Sequence, residues 1–306
     1  MNELYAAEPG FVGTATELKL FLERFGPTSG HYLAALPRSW ELEVASQFAK
    51  ARPVEQQRAK LALRRARERM AVLTRPHLPW GGSDWRTEAA KLTAKPSPKL
   101  LSAVVGPEGN HELPEGLVAV DDFALDATAE EEIAATPQEI CRVCSIILEV
   151  RGDIHIVDPY FDPCRDSYAN VLRVLLQRMA VRPVMSLTIW SRAELVLWQS
   201  QRTAAELREA IRRAGRSITQ ELPVTLNLLD DMGTSQKMHA RYLFSVKGGV
   251  SIDNGFQQLS NQLRTRAGPM STAILDLHLW RYHERADHAP IVQAVEVPLG
   301  RRGRQR

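Results

Sequence analysis

From Thr136 onward the chain alternates between segments with a helical apolar period and short strand-like segments, and this alternation constrains its fold more than any other feature. Thr136-Pro137-Gln138-Glu139 forms a capping box with proline at the first helical position, which predicts a helix running to about Val150 and stopped by Gly152. Ile154 to Phe161 reads as a strand. Asp166 to Met179 reads as a helix, with Val171, Leu172, Val174, Leu175 and Met179 on its apolar side. Val184 to Trp190 is the next strand, and Thr203-Ala204-Ala205-Glu206 repeats the capping box for a helix that reaches Gly215. Val224 to Leu229 adds a third strand, and the stretch around Gly248-Gly249 adds a fourth and fifth. Strands alternating with helices of this length predict an α/β sandwich around a mostly parallel or mixed sheet.

The first third reads differently. Ala15 to Phe25 is an amphipathic run ended by Gly26-Pro27, and Ser39 is a candidate N-cap for a second helix. Pro53 suits a first helical turn, and Val54 to Thr74 contains no internal breaker, so a mainly helical N-terminal domain is expected. That third helix is basic, with Arg58, Lys60, Arg64, Arg65, Arg67 and Arg69 offset by Glu55 and Glu68. Such a run is either a solvated face or a surface for an anionic partner. On the second reading Arg58, Arg64, Arg65 and Arg69 are the candidate nucleic-acid contacts. A proline- and serine-punctuated break at Lys95 to Lys99 precedes two short strand-like runs, Leu100 to Val105 and Gly116 to Leu125. The boundary is expected at Glu130 to Ala135, dividing the chain into domains 1–135 and 136–306, the latter ending in the basic tail Arg301 to Arg306.

A hydrophobic fraction of 44% and a charged fraction of 25% are those of a globular protein, and a net charge of +3 is too small to imply a nucleic-acid partner by itself. No run of about 18 apolar residues is present and the start, MNELYAAEPG, lacks a signal-peptide pattern, so a cytoplasmic protein without a transmembrane segment is expected. Cys141-x-x-Cys144 falls inside an expected helix with no second cysteine pair, which favours buried helix residues over a zinc or redox site. No metal and no cofactor is expected. His278 and His283 fall in a helix whose Leu277, Leu279 and Trp280 are expected to pack on the sheet, and Trp40, Trp80 and Trp85 are expected in the N-terminal core.

Ligands in open α/β sheets bind at the carboxyl ends of strands, where this chain places Asp158-Pro159-Tyr160, Ser191-Arg192 and Asp230-Asp231. Asp158 before Pro159 also suits a plain turn. In KMHARYLFSVKGGVSIDNGFQQL a strand period of two sets His239 and Arg241 on one face, where a buried sheet would carry apolar groups. That face therefore lines a polar cleft or a sheet edge.

VDPYF, then LTIWSR, then MHARYLFSVKGGVSIDNGF resembles the order of elements in the phospholipase D superfamily. The resemblance covers about Thr136 to Gln293. It is similar to divergent bacterial members and to the C-terminal domain of MIT-domain proteins, in which H-x-R replaces H-x-K. It implies a mixed sheet flanked by helices, with His239 as nucleophile or phosphate contact and Arg241 as phosphate clamp. Lys237, Asn254, Ser191 and Arg192 would be further phosphate-binding residues, supported by Asp158 and Tyr160. Departures are Val246 where the family places an aspartate, and Asp253-Asn254-Gly255-Phe256 where it places G-S-x-N. Only one such motif is present, so catalysis would need a homodimer that brings two copies of His239 together.

The resemblance thus implies a metal-independent phosphodiesterase, above all a nuclease. The alternatives are a non-catalytic module binding nucleic acid, anionic lipid or a protein partner in a larger complex, and a metal-dependent nuclease using His155, Asp158 and Asp162. The last is disfavoured because His155 and Asp158 point to opposite sides of a strand. A helical region joined to such a half is similar to the architecture of components of bacterial antiphage and mobile-element systems.

Overall fold

The computed structural model describes residues 3–27, 29–74, 80–81, 84–93, 101–107, 117–120, 130–148, 152–180, 184–232, 237–260, 263–285 and 288–300. The chain divides into two compact units, Met1–Ala129 and Glu130–Arg306. Expected features at Lys95 to Lys99 and in the tail from Arg301 lie outside the described residues.

The first unit runs β1 (Glu3–Ala7), α1 (Ala15–Leu22), β2 (His31–Ala35), α2 (Trp40–Gln47), α3 (Pro53–Glu68), β3 (Val72–Thr74), α4 (Trp85–Thr93), β4 (Ala103–Gly106) and β5 (Leu117–Ala119). Its strands form a parallel sheet in the order β3-β2-β1-β4-β5, the layout of a doubly wound α/β domain. The expectation of a mainly helical N-terminal domain is therefore overturned. The strands β1 (ELYAA) and β2 (HYLAA) are rich in alanine and buried almost throughout, so neither β-branched enrichment nor alternation marks them. The helix expected to run to Thr74 ends at Glu68, because Met70 adopts a left-handed φ of 59° and turns the chain into β3. Ser39 does not cap α2 with its side chain; its hydroxyl donates to Glu43 instead.

Trp40 is fully buried and its indole donates to the Ala7 carbonyl at 2.6 Å, tying α2 to the end of β1. The N-terminus of α1 is closed by a capping box. The Glu17 carboxylate accepts from the amides of Gly13 and Thr14, while Thr14 Oγ1 accepts from the Glu17 amide.

The second unit runs β6 (Glu131–Ala134), α5 (Pro137–Leu148), β7 (Gly152–Val157), α6 (Asp166–Ala180), β8 (Val184–Arg192), α7 (Ala204–Ala214), β9 (Leu222–Leu229), β10 (Tyr242–Ser245), β11 (Gly248–Ile252), β12 (Arg264–Pro269), α8 (Thr272–His278) and β13 (Ile291–Leu299). Its sheet has the order β13-β9-β8-β7-β10-β11-β12-β6. β7, β8 and β9 are parallel, and the other pairings are antiparallel. This is the mixed α/β sheet that the alternation predicts. Because β6 pairs with β12 along Glu131–Ala134, those residues belong to the second unit, ahead of the expected boundary.

Both expected helices start as read. Thr203 and Glu206 form the full capping box, whereas at α5 Thr136 Oγ1 accepts from the Glu139 amide but the Thr136 amide donates to the Ala134 carbonyl and the Glu139 carboxylate turns to Arg142. Cys141 and Cys144 are buried in α5, and burial pushes both thiols up in pKa. On the other side of the sheet, α8 and the π-helical turn Leu279–His283 cover Val157, Trp190, Leu229 and Phe244. Leu275, His278 and Tyr282 make that contact, whereas Leu277 and Trp280, expected to pack inward, are 44% exposed. Among the described residues, no helix is long and apolar enough to cross a membrane.

Candidate functional site

His239 and Arg241 do not lie within a strand, because β10 starts at Tyr242. The one-face argument therefore gives way to a loop geometry. Met238 is buried, His239 exposed and Arg241 half-buried. Three sets of contacts fix this loop at the carboxyl ends of β7, β8 and β9.

The first set involves Arg192 and Asp231. Arg192 Nε lies 2.9 Å from an Asp231 carboxylate oxygen, and both side chains are largely buried, at 14% and 2% exposure. Asp231 also accepts the Met238 amide at 2.8 Å, while Arg192 Nη2 donates to the Met238 carbonyl at 2.7 Å. An interior ion pair thus grips both backbone groups of the residue just before His239. Both backbone groups of Met238 are thereby engaged outside the sheet.

The second set holds the loop after β7. Ser191 Oγ and the Arg192 amide both donate to the Pro159 carbonyl, at 3.1 and 3.2 Å. Ser191 and Arg192, read from the sequence as phosphate-binding, are thereby committed to holding backbone.

The third set centres on Asp158, which is fully buried and accepts from the amides of Tyr160 and Phe256 at 3.0 and 2.9 Å. Burial raises its pKa, an effect that its two amide donors and nearby Arg241 oppose. Gly255 sits at φ +76°, and a Cβ there would collide with the Asp158 carboxylate and lie 2.9 Å from Arg241 Cδ. The Arg241 guanidinium lies 5.1 Å from the centre of the Tyr160 ring, and Nη1 donates to the Asp253 carbonyl at 2.5 Å. Tyr160 thus offers its ring face to Arg241, and Asp158 holds the Tyr160 and Phe256 amides that flank it. The sequence places Asp231 at a strand end but not as the partner of Arg192, and Gly255 was missed as part of this assembly; the Asn-Gly step was its available signal.

Asn254 is exposed. Its amide N–H donates to Thr265 Oγ1 and its side chain to the Arg264 carbonyl, so it is fastened to β12. Lys237 is exposed.

The His155, Asp158 and Asp162 set does not assemble. Asp162 accepts the Cys164 amide and pairs with Arg202 at 3.2 Å. His155 lies under the α8 layer, where Trp190 Nε1 donates to its Nδ1 at 3.4 Å, leaving Nε2–H to donate to His283 Nδ1 at 3.1 Å. Burial, then His283, lowers the His155 pKa to about 4. Among the described residues no three His, Cys, Asp or Glu side chains are grouped to hold a metal ion.

In the first unit, Arg58, Arg65 and Arg69 line a groove between α1 and α3, whereas Arg64 lies on another stripe of α3 and pairs with Glu68 at 3.5 Å.

No family model matches the chain, and no curated protein does. Among solved structures, one described as "Structure of TrmBL2, an archaeal chromatin protein, shows a novel mode of DNA binding" is similar over 56% of this chain and 57% of that one. At 13% identity and a TM-score of 0.30, that likeness is too slight to carry an inference.

Proposed function

We propose that the second unit is a divergent phospholipase D-like domain that recognises a phosphodiester at Lys237–Arg241, and that as a homodimer it is a metal-independent nuclease. The observation that supports this most is a guanidinium fixed over Tyr160, two positions along the chain from an exposed imidazole whose preceding residue is held at both backbone groups. A fixed guanidinium offers two parallel donors to phosphoryl oxygens and stabilises the charge that grows there during attack. One His239 imidazole would attack phosphorus, forming an N–P bond while the leaving oxygen takes a proton from the second copy's imidazolium. Water, deprotonated by that second imidazole, would then break the N–P bond and restore the first. A defensive role against phage is the context that the resemblance suggests.

Binding without cleavage is the second reading. It is favoured by two observations: among the described residues no side chain hydrogen-bonds the His239 ring, and exposed Val246 replaces the family's aspartate. The test is incubation with single- and double-stranded DNA and RNA in the presence of EDTA, wild type beside His239→Ala, with the mass in solution measured in parallel. Cleavage that survives EDTA and vanishes in the variant supports the nuclease. Binding without cleavage selects the second reading, and cleavage unchanged in His239→Ala overturns the site. A monomeric mass at full activity would sink the shared-site dimer.

A further inference from the structure

The helical period sorts the cations of α3 into two stripes. Lys60, Arg64 and Arg67 stand at i, i+4 and i+7; there Arg67 pairs with Glu41 of α2 and Arg64 with Glu68. Arg58, Arg65 and Arg69 stand at i, i+7 and i+11 and, with Lys19 of α1, line an open groove of about 610 Å³. Those four cations face only two carboxylates in the groove, Glu23 and Glu68. Lys19 and Arg58 keep exposed side chains even while touching Glu23 and Glu55, Arg69 is exposed and donates through one Nη to the Leu22 carbonyl at 3.4 Å, and Arg65 has no hydrogen-bond or ionic partner among the described residues.

Two features select the ligand. At a rise of 1.5 Å per residue, Arg58 and Arg69 lie about 16 Å apart along the helix axis. A single phosphate cannot span that distance, so the fitting ligand carries repeating charge. The floor is mostly closed, with Ala15, Leu22 and Ala62 exposed by only 2%, 1% and 8% and Leu61 the half-buried aliphatic residue of the described lining, which leaves little apolar surface for an amphipathic helix. Guanidinium groups spaced along a trough suit a phosphate backbone.

We propose that the α1–α3 groove binds a single nucleic-acid strand through its phosphates. The groove's described lining contains no aromatic side chain, so bases are not stacked and binding is independent of sequence. The choice of a phosphodiester strand over an acidic peptide rests on the reading of the second unit; the geometry of the groove does not.

The test measures the affinity of the full chain for a labelled single-stranded oligonucleotide across a salt series, in a His239→Ala background. The four groove cations contribute about −2.8 to the slope of log K against log salt, on top of any contribution from Lys237 and Arg241. Replacing Arg58, Arg65 and Arg69 together by glutamine makes the slope shallower by about 2.1 and weakens binding about tenfold or more. The double variant Lys60→Gln with Arg64→Gln stays within about twofold of the parent. Leu61→Glu, which adds a negative charge to the groove, weakens binding in the same direction, and unfolding midpoints equal to the parent's establish that the variants are folded. Unchanged binding in the triple variant overturns the proposal. So does an equal loss in the Lys60/Arg64 pair, or a parent that binds polyglutamate but not the oligonucleotide. Cleavage by the His239-containing chain is measured separately: intact groove binding with no cleavage counts against the nuclease alone, and cleavage with no groove dependence counts against the groove alone.

Discussion

Arg192 and Arg241 belong to two regions of the same unit that are built from similar residues and have opposite properties. Around Arg192 the charges are interior and answered: the guanidinium by Asp231, and the carboxylate by Arg192 and the Met238 amide. Around Arg241 the guanidinium meets a ring face and a carbonyl oxygen, and the neighbouring imidazole is exposed. Leaving a charge unpaired in the interior is prohibitive, so a buried ion pair serves to hold geometry. What the fold holds in place at the surface without a direct ion pair is what remains for a ligand.

The largest effect expected from this contrast is that of Asp231→Ala. It leaves Arg192 without its counter-charge and the Met238 amide without an acceptor, at a cost of about 3 to 5 kcal/mol, read from urea unfolding. A loss below about 1 kcal/mol would place Arg192 on the same footing as Arg241 and erase the distinction.

A comparable loss is expected from acid, this time at buried imidazoles. His155 and His278 are held neutral mainly by burial, each with its pKa lowered to about 4. The unfolded chain therefore takes up protons first. The stability they contribute is complete above about pH 6.5 and falls away as the pH drops toward 4, by about 3 kcal/mol for each. Unfolding free energies measured from pH 7 to 4.5 would follow that slope, and a flat profile would break the prediction. His155→Gln should remove part of the slope.

Gly255→Ala comes next. It forces a side chain into a left-handed backbone and against Asp158 and Arg241, costing about 2 kcal/mol. Its oligonucleotide affinity should drop as well, because Arg241 must move; unchanged affinity would show that the guanidinium is not part of the ligand site. The smallest effect on stability is that of His239→Ala, within about 0.5 kcal/mol of the parent. A larger destabilisation would mean that the imidazole supports the fold.

How far the sequence discloses this arrangement depends on the range of the interactions concerned. The second unit's helices and parallel strands were readable because Thr136-to-Glu139 and Thr203-to-Glu206 caps and apolar runs are local signals. The first unit's sheet was not, since alanine-rich strands buried on both faces imitate helix-forming sequence. In the candidate site, His239 and Arg241 could be picked out by type. That Arg192 works through Asp231 could not, because the two residues are 39 positions apart and only the sheet brings them together. Nor does any local pattern in KMHARYLFS reveal that the strand starts only at Tyr242.

The capping box at α1 bears on nucleotide cofactors. In a doubly wound sheet, the turn after the first strand presents the backbone amides on which a dinucleotide's pyrophosphate would rest. Here the chain's own Glu17 occupies the amides of Gly13 and Thr14, so an incoming diphosphate must first evict a resident carboxylate of the same charge sign. At those two amides, the turn that such sheets commonly offer to a coenzyme already holds a carboxylate of its own chain.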